Sequence, residues 1–308
     1  MAINENPVFG RKIFFLNPPY AIKTTVVEKL RAQEYEAFNI ENYRIAKDLL
    51  RMNQDAICFI DIDSELSPKE WFNFVKSFEE DEVLSTIFIG ILSQKVKLSD
   101  KNQFLLKATI PGGFIMLTEG LERITDKITR ICEINGSKGR RQYVRLDCRT
   151  EEEATVHASK DGRLYTMKLI DISSVGFACA IPNKDADKFV EKEVVSSIII
   201  TLGKRTINCE AAIFAIKPGE NFSTLVMLLL PSTAATTKNM IRNFVFTTMQ
   251  KNIDLKASVI IEDKTDYSIE PKNIENDNSS KFINDEAITD IMNAEDISEL
   301  EDIDEVFV

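Results

Sequence analysis

The feature that most constrains this chain is a break in periodicity at residues 133–139, EINGSKG. Before it, short apolar runs alternate with stretches of helical spacing. After it, almost every segment reads as a strand. Two glycines, an asparagine and a serine in seven residues stop a helix and supply a flexible linker. The break therefore divides the chain into two folding units. At 308 residues and 44% hydrophobic content, the chain can bury two ordinary cores.

In residues 1–134, strand-like runs at Lys12–Leu16, Glu36–Ile40, Ala56–Ile62, Thr86–Leu92 and Phe114–Leu117 alternate with helical segments. The helices are expected at Thr24–Gln33, Tyr43–Met52, Pro68–Phe78, Ser99–Ala108 and Thr118–Ile134, the third opened by Ser67 as cap and Pro68 at the first position. Such alternation predicts a parallel α/β sheet with helices on both faces. The order of elements, with Asp61 ending the third strand, resembles a response-regulator receiver domain. A receiver holds Mg²⁺ with an acidic pair after its first strand; here that place reads Leu16-Asn17-Pro18-Pro19. It also places a lysine after the fifth strand, where this chain has Thr118-Glu119. Asp61 lines up with the phosphoacceptor and Asp63 lies two residues on, but without those partners the carboxylate has little to work with. The expectation is a receiver-like (pseudo-receiver) domain that has lost the switch.

Beyond a linker at 135–139, strands are expected at Tyr143–Cys148, Ala154–Ala158, Leu164–Ile170, Gly176–Ile181, Val194–Leu202, Thr206–Ile216 and Ser223–Leu230. Turns at Asp161-Gly162, Leu202-Gly203-Lys204 and Lys217–Asn221 separate several of them. Short strands with turns at this spacing predict a small antiparallel barrel. Thr236–Asn252, carrying Met240, Phe244, Val245 and Met249, reads as a helix capping it. The barrel domain is thus expected at 140–256. After it, residues 257–308 read as an acidic, disordered tail.

Two motifs flank the first hairpin of that barrel. Gly139–Arg145 carries three guanidinium groups, on Arg140, Arg141 and Arg145, and Asp171–Gly176 places an acid, hydroxyls and a glycine at a turn. Arginine offers a planar fork of donors to phosphate oxygens and to the O6/N7 edge of guanine, and its face stacks on bases. A carboxylate such as Asp171 can accept from guanine N1–H and N2–H₂. Gly176 removes a side chain where a ligand or another strand must come close. RxxxR (Arg141 to Arg145) followed by DxSxxG (Asp171 to Gly176) resembles the signature of PilZ domains, bacterial receptors for cyclic di-GMP. The resemblance covers residues 137–252, and PilZ domains have the same plan of a six-stranded barrel followed by a helix. It implies that Arg141 and Arg145 grip phosphates and guanine edges, that Asp171 and Ser173 hydrogen-bond a guanine, and that Gly176 leaves room for it. Arg140 adds a third guanidinium of the kind that accompanies binding of an intercalated ligand dimer.

Charge and composition exclude other classes. Residues 263–308 hold 15 of the 49 acidic residues and three of the 38 basic ones, so the remainder is balanced at 34 acidic against 35 basic. That neutrality gives bulk nucleic-acid binding no support. Hydrolase and nucleotidase motifs (GxSxG, GxxxxGK[ST]) are absent, as are GGDEF and EAL, so no catalysis is expected. A single histidine and five scattered cysteines give no metal site and no cofactor, and read as reduced thiols in a cytoplasmic protein. No signal peptide or bilayer-spanning run is evident, so no membrane association is expected. The reading is a cyclic di-GMP receptor in second-messenger signal transduction, with an unidentified protein partner engaging the N-terminal domain or the tail. Two alternatives stand beside it: a phosphorylation-responsive regulator using Asp61, and a PilZ-fold protein-interaction module that does not bind nucleotide.

Overall fold

A computed structural model describes residues 10–151 and 154–266, with side chains to residue 261. The N-terminal unit is a five-stranded parallel sheet of β1 (Ile13–Leu16), β2 (Ala37–Ile40), β3 (Ile57–Asp61), β4 (Phe88–Ser93) and β5 (Gly113–Met116), in the order β2-β1-β3-β4-β5. Its strands are buried on both faces, which is why they read as unbroken apolar runs. Along β1, Ile13 and Phe15 join a core with α1 (Glu28–Ala32) and α5 (Leu121–Ile134). Phe14 and Leu16 join the opposite core with α2 (Tyr43–Arg51), α3 (Pro68–Lys76) and α4 (Leu98–Lys107). The expected start of α3 is present as a full capping box, Ser67 and Glu70 each bonding the other's backbone, with Pro68 in the first turn. Ahead of α1 the chain forms a π-helical turn, Ile22–Val27, in place of a regular helix from Thr24.

The second unit is a closed six-stranded antiparallel barrel. Its strands are β7 (Ala154–Lys160), β8 (Arg163–Ser173), β9 (Gly176–Pro182), β10 (Val194–Leu202), β11 (Arg205–Lys217) and β12 (Phe222–Leu229). They pair in the order β8-β7-β10-β11-β12-β9, and the β8–β9 pairing closes the ring. A short strand, β6 (Arg145–Asp147), lies beside the second half of β8. A one-turn helix, α6 (Asn183–Ala186), follows β9.

The last helix, α7, runs from Ala235 to Asp266, well past the Asn252 limit expected from sequence. One apolar stripe explains the extension. Ile241, Val245 and Phe246 pack in the barrel core. Met249 touches both cores, and Ile253, Ala257 and Ile260 continue at helical spacing into the N-terminal domain. The periodicity does not fade after residue 252; it passes from one core to the other. At the sheet edge, the Asn39 amide N–H donates to Gln250 Oε1 (2.9 Å) and Gln250 Nε2 donates to the Asn39 carbonyl (3.0 Å). A side chain thereby covers an otherwise open edge strand. The expected disorder of residues 267–308 lies outside the described residues. Among the described residues no helix is long and apolar enough to cross a membrane.

Candidate functional site

The two arginine-bearing and acidic motifs, separated by a hairpin in sequence, meet through β6 and β8. The antiparallel register sets Arg145 opposite Ser173, Leu146 opposite Ile172 and Asp147 opposite Asp171. Leu146 and Ile172 point into the barrel core. Alternation therefore puts Arg145, Asp147, Asp171 and Ser173 on the other face. A β-bulge makes this possible for Asp171. Met167 and Leu169 face inward, and an unbroken strand would send residue 171 inward too; the register shift between Leu169 and Asp171 turns it out.

Asp171 is half-buried, and burial raises its carboxyl above the ordinary value while Arg145, then Arg141, pull it back down. Asp147 and Arg149 act on the same carboxyl with opposite signs. Neither residue was singled out from sequence, although the alternation through β6 and the Asx turn that follows it, with the Arg149 N–H donating to Asp147 Oδ1 at 2.9 Å, could have pointed to both. The result is a partly desolvated carboxylate ringed by guanidinium groups, suited to a ligand that carries both anionic oxygens and N–H donors.

The other candidates have definite local roles. The Ser173 hydroxyl is buried, donating to the Gly176 carbonyl (3.1 Å) and accepting from the Val175 N–H (3.4 Å), so it shapes the turn. Gly176 pairs with Leu228 on β12, and a Cβ there would lie 2.5 Å from the Met227 carbonyl oxygen. The missing side chain clears a neighbouring strand. Arg140 is exposed and Arg141 half-buried in the irregular segment before β6.

That segment is docked, in contrast to the flexible arm expected from its glycines. The Arg11 N–H donates to the Gly136 carbonyl (2.9 Å), Ser137 is buried, and the Lys138 ammonium sits 4.8 Å from the centre of the Tyr35 ring. Burial also raises the Glu36 carboxyl, opposed by Lys12 and Arg141. Gly10, Glu34, Glu36, Arg141 and Arg145 line a cavity of about 40 Å³ between the arm and the N-terminal domain. A cavity of that size has room for a water or two and not for a nucleotide.

At the receiver-like site, Asp61 is 3% exposed and burial pushes its carboxyl up to about 6. One of its oxygens accepts from the Asp63 N–H (3.2 Å), and the other is buried with no hydrogen-bond partner among the described residues, as is the Asn17 side-chain amide. Asp63 is occupied by the Ser93 hydroxyl and the Gln94 and Lys95 amides. Among the described residues no cluster of three or more His, Cys, Asp or Glu could hold a metal ion.

No family model matches the sequence, and no curated protein matches it. Solved structures are similar to part of it. The PilZ domain with c-di-GMP of YcgR from Escherichia coli is 16% identical, with TM-score 0.34, over 38% of this chain and 98% of that one. The K. pneumonia MrkH–c-di-GMP complex is 14% identical, with TM-score 0.30, over 41% of this chain and 55% of that one. The Bacillus subtilis inhibitor of motility, MotI/DgrA, is 21% identical, with TM-score 0.31, over 36% of this chain and 52% of that one. The chain thus spans about half the length of the MrkH and MotI structures it matches.

Proposed function

We propose that this chain is a non-catalytic receptor for cyclic di-GMP, whose site is formed by Arg141 and Arg145 together with Asp171. The observation behind it is the β6–β8 pairing, which lays the arginine segment beside the Asp171–Gly176 turn on one face of the barrel. Phosphates would take the guanidinium forks, and Asp171 would accept from the Watson–Crick edge of a guanine. Arg140, exposed at the start of the segment, would meet a second, intercalated copy. Ser173 would act through the turn geometry and Gly176 through close strand packing. The receptor module would comprise residues 140–256, with the N-terminal domain or the tail presenting a surface to a protein partner.

Calorimetric titration of the full chain with cyclic di-GMP tests the proposal. Arg141→Ala and Arg145→Ala should each weaken binding at least about thirtyfold, from losing one charge-assisted contact, with melting unchanged. Equal affinity in both variants and the wild type refutes the site. A second reading, a protein-interaction module on the same fold, is favoured by the engagement of Ser173 and Gly176 within the protein itself. It requires that the wild type show no saturable heat with the nucleotide. Control by phosphorylation at Asp61 finds a buried carboxyl raised by desolvation, with Asn17 where metal-binding acids would be needed.

A further inference from the structure

Glu34 follows α1 in a left-handed conformation, φ 62°, which is uncommon for a residue other than glycine and holds only where the surroundings enforce it. Its side chain is 8% exposed. Three elements converge on it. Oε1 accepts from the Ser174 hydroxyl at 2.7 Å and from Arg242 Nε at 2.8 Å. Oε2 accepts from the Val144 N–H at 3.1 Å. Val144 immediately precedes Arg145, and Ser174 immediately follows Ser173. One carboxylate of the N-terminal domain therefore holds the arginine segment by its backbone, the acidic turn by a side chain, and α7 by an ion pair.

We propose that Glu34 is a positioning residue: it fixes the spacing between the Arg141–Arg145 segment and the Asp171–Gly176 turn, so that the ligand site is complete only when the N-terminal domain is docked. This rests on the receptor proposal above. A buried carboxylate usually repels an anionic ligand nearby, but Arg242 offsets this one at ion-pair distance. A loop held in its bound arrangement loses less freedom on binding, and that is where the gain in affinity arises. Glu34 touches no ligand; its effect passes through the Val144 amide and the Ser174 hydroxyl.

The test uses the full chain as wild type, Glu34→Ala, Ser174→Ala, and Gln250→Ala. The last removes the α7 hydrogen bonds to Asn39 and Arg31, away from the site, while the apolar stripe of α7 keeps the domains docked, and so controls for the loss of an interdomain contact as such. Hydrogen exchange is followed in peptides covering 139–149 and 170–177, and cyclic di-GMP affinity is measured in parallel. Glu34→Ala should speed exchange in both peptides and weaken binding by about tenfold or more, in line with the loss of several charge-assisted bonds. Ser174→Ala, which removes one donor and serves if Glu34→Ala folds poorly, should give a smaller loss of the same kind. Gln250→Ala should leave both peptides and the affinity unchanged. Unaltered exchange in Glu34→Ala and Ser174→Ala overturns the inference, and so does tighter binding, which would make the N-terminal domain a competitor for the arginines. If the wild type binds no cyclic di-GMP, the receptor proposal fails while the exchange data still decide whether Glu34 fixes the two segments.

Discussion

Gly176→Ala separates two reasons for a glycine at the end of DxSxxG. If the missing side chain makes room for a ligand, alanine should bind poorly and fold normally. The structure points the other way. An added Cβ would sit 2.5 Å from the Met227 carbonyl oxygen, 3.0 Å from Leu228 Cδ2 and 3.3 Å from Leu228 Cα. The nearest atom is backbone in a paired strand, so β9 and β12 must separate or β12 must shift register locally. Overpacking of this kind costs about 1–3 kcal/mol. For a cooperative unit of this size that lowers the melting temperature by about 2–4 °C per kcal/mol. The variant should therefore melt roughly 2–12 °C below the wild type by far-UV circular dichroism. An unchanged melting temperature together with lost cyclic di-GMP binding would refute the packing account and return Gly176 to the ligand.

Four further outcomes are expected. Calorimetry should give two cyclic di-GMP per chain for the wild type and weaker, one-ligand binding for Arg140→Leu; a stoichiometry near one for both removes Arg140 from the site. Acetyl phosphate should leave no adduct on Asp61 by mass spectrometry, since the carboxyl is buried and Asn17 and Thr118 stand where the chemistry needs an acid and a lysine; an increase of about 80 Da on Asp61 refutes this. The same carboxyl titrates near 6 in the folded chain, above its ordinary value of 3.8, so the native state holds the proton more tightly than the unfolded one. Its stabilising effect is full below about pH 4 and lost as pH rises through about 6, on the order of 1–3 kcal/mol, and Asp61→Asn should flatten that slope in denaturant titrations. Truncation after Lys256 should destabilise the chain because it removes Ala257 and Ile260 from the N-terminal core, whereas truncation after Asp266 should not; equal melting of both truncations would show that the end of α7 contributes nothing.

Much of the fold is legible in the residues themselves. Both-face burial makes β1, β3 and β4 continuous apolar runs, and Ser67-Pro68 announces α3 by the chemistry of its first turn. The candidate site is legible in part. The motifs identify Arg141, Arg145 and Asp171, yet strict alternation from Met167 and Leu169 sends Asp171 inward, and only the bulge corrects it. Glu34 and Gln250 leave no local trace. Each is a polar residue whose partners in the other domain lie 110 to 219 positions away, so nothing in its neighbourhood reveals that contact. The end of α7 is missed for a related reason: its last apolar residues look sparse until a second core is present to receive them.

The shared stripe on α7 has a thermodynamic consequence. A helix of which half loses its packing partner is left with little but its intrinsic propensity, which is marginal in water at that length. Melting either core therefore withdraws support from the other, and the two domains should unfold as one calorimetric unit. The only tryptophan, Trp71, is wholly buried in the N-terminal core, so its fluorescence reports on that domain alone. A lesion in the barrel, such as Gly176→Ala, should nonetheless pull the Trp71 transition down by the same interval as the barrel's own. Two separated transitions, with Trp71 unmoved, would mean that α7 spans both cores without coupling them.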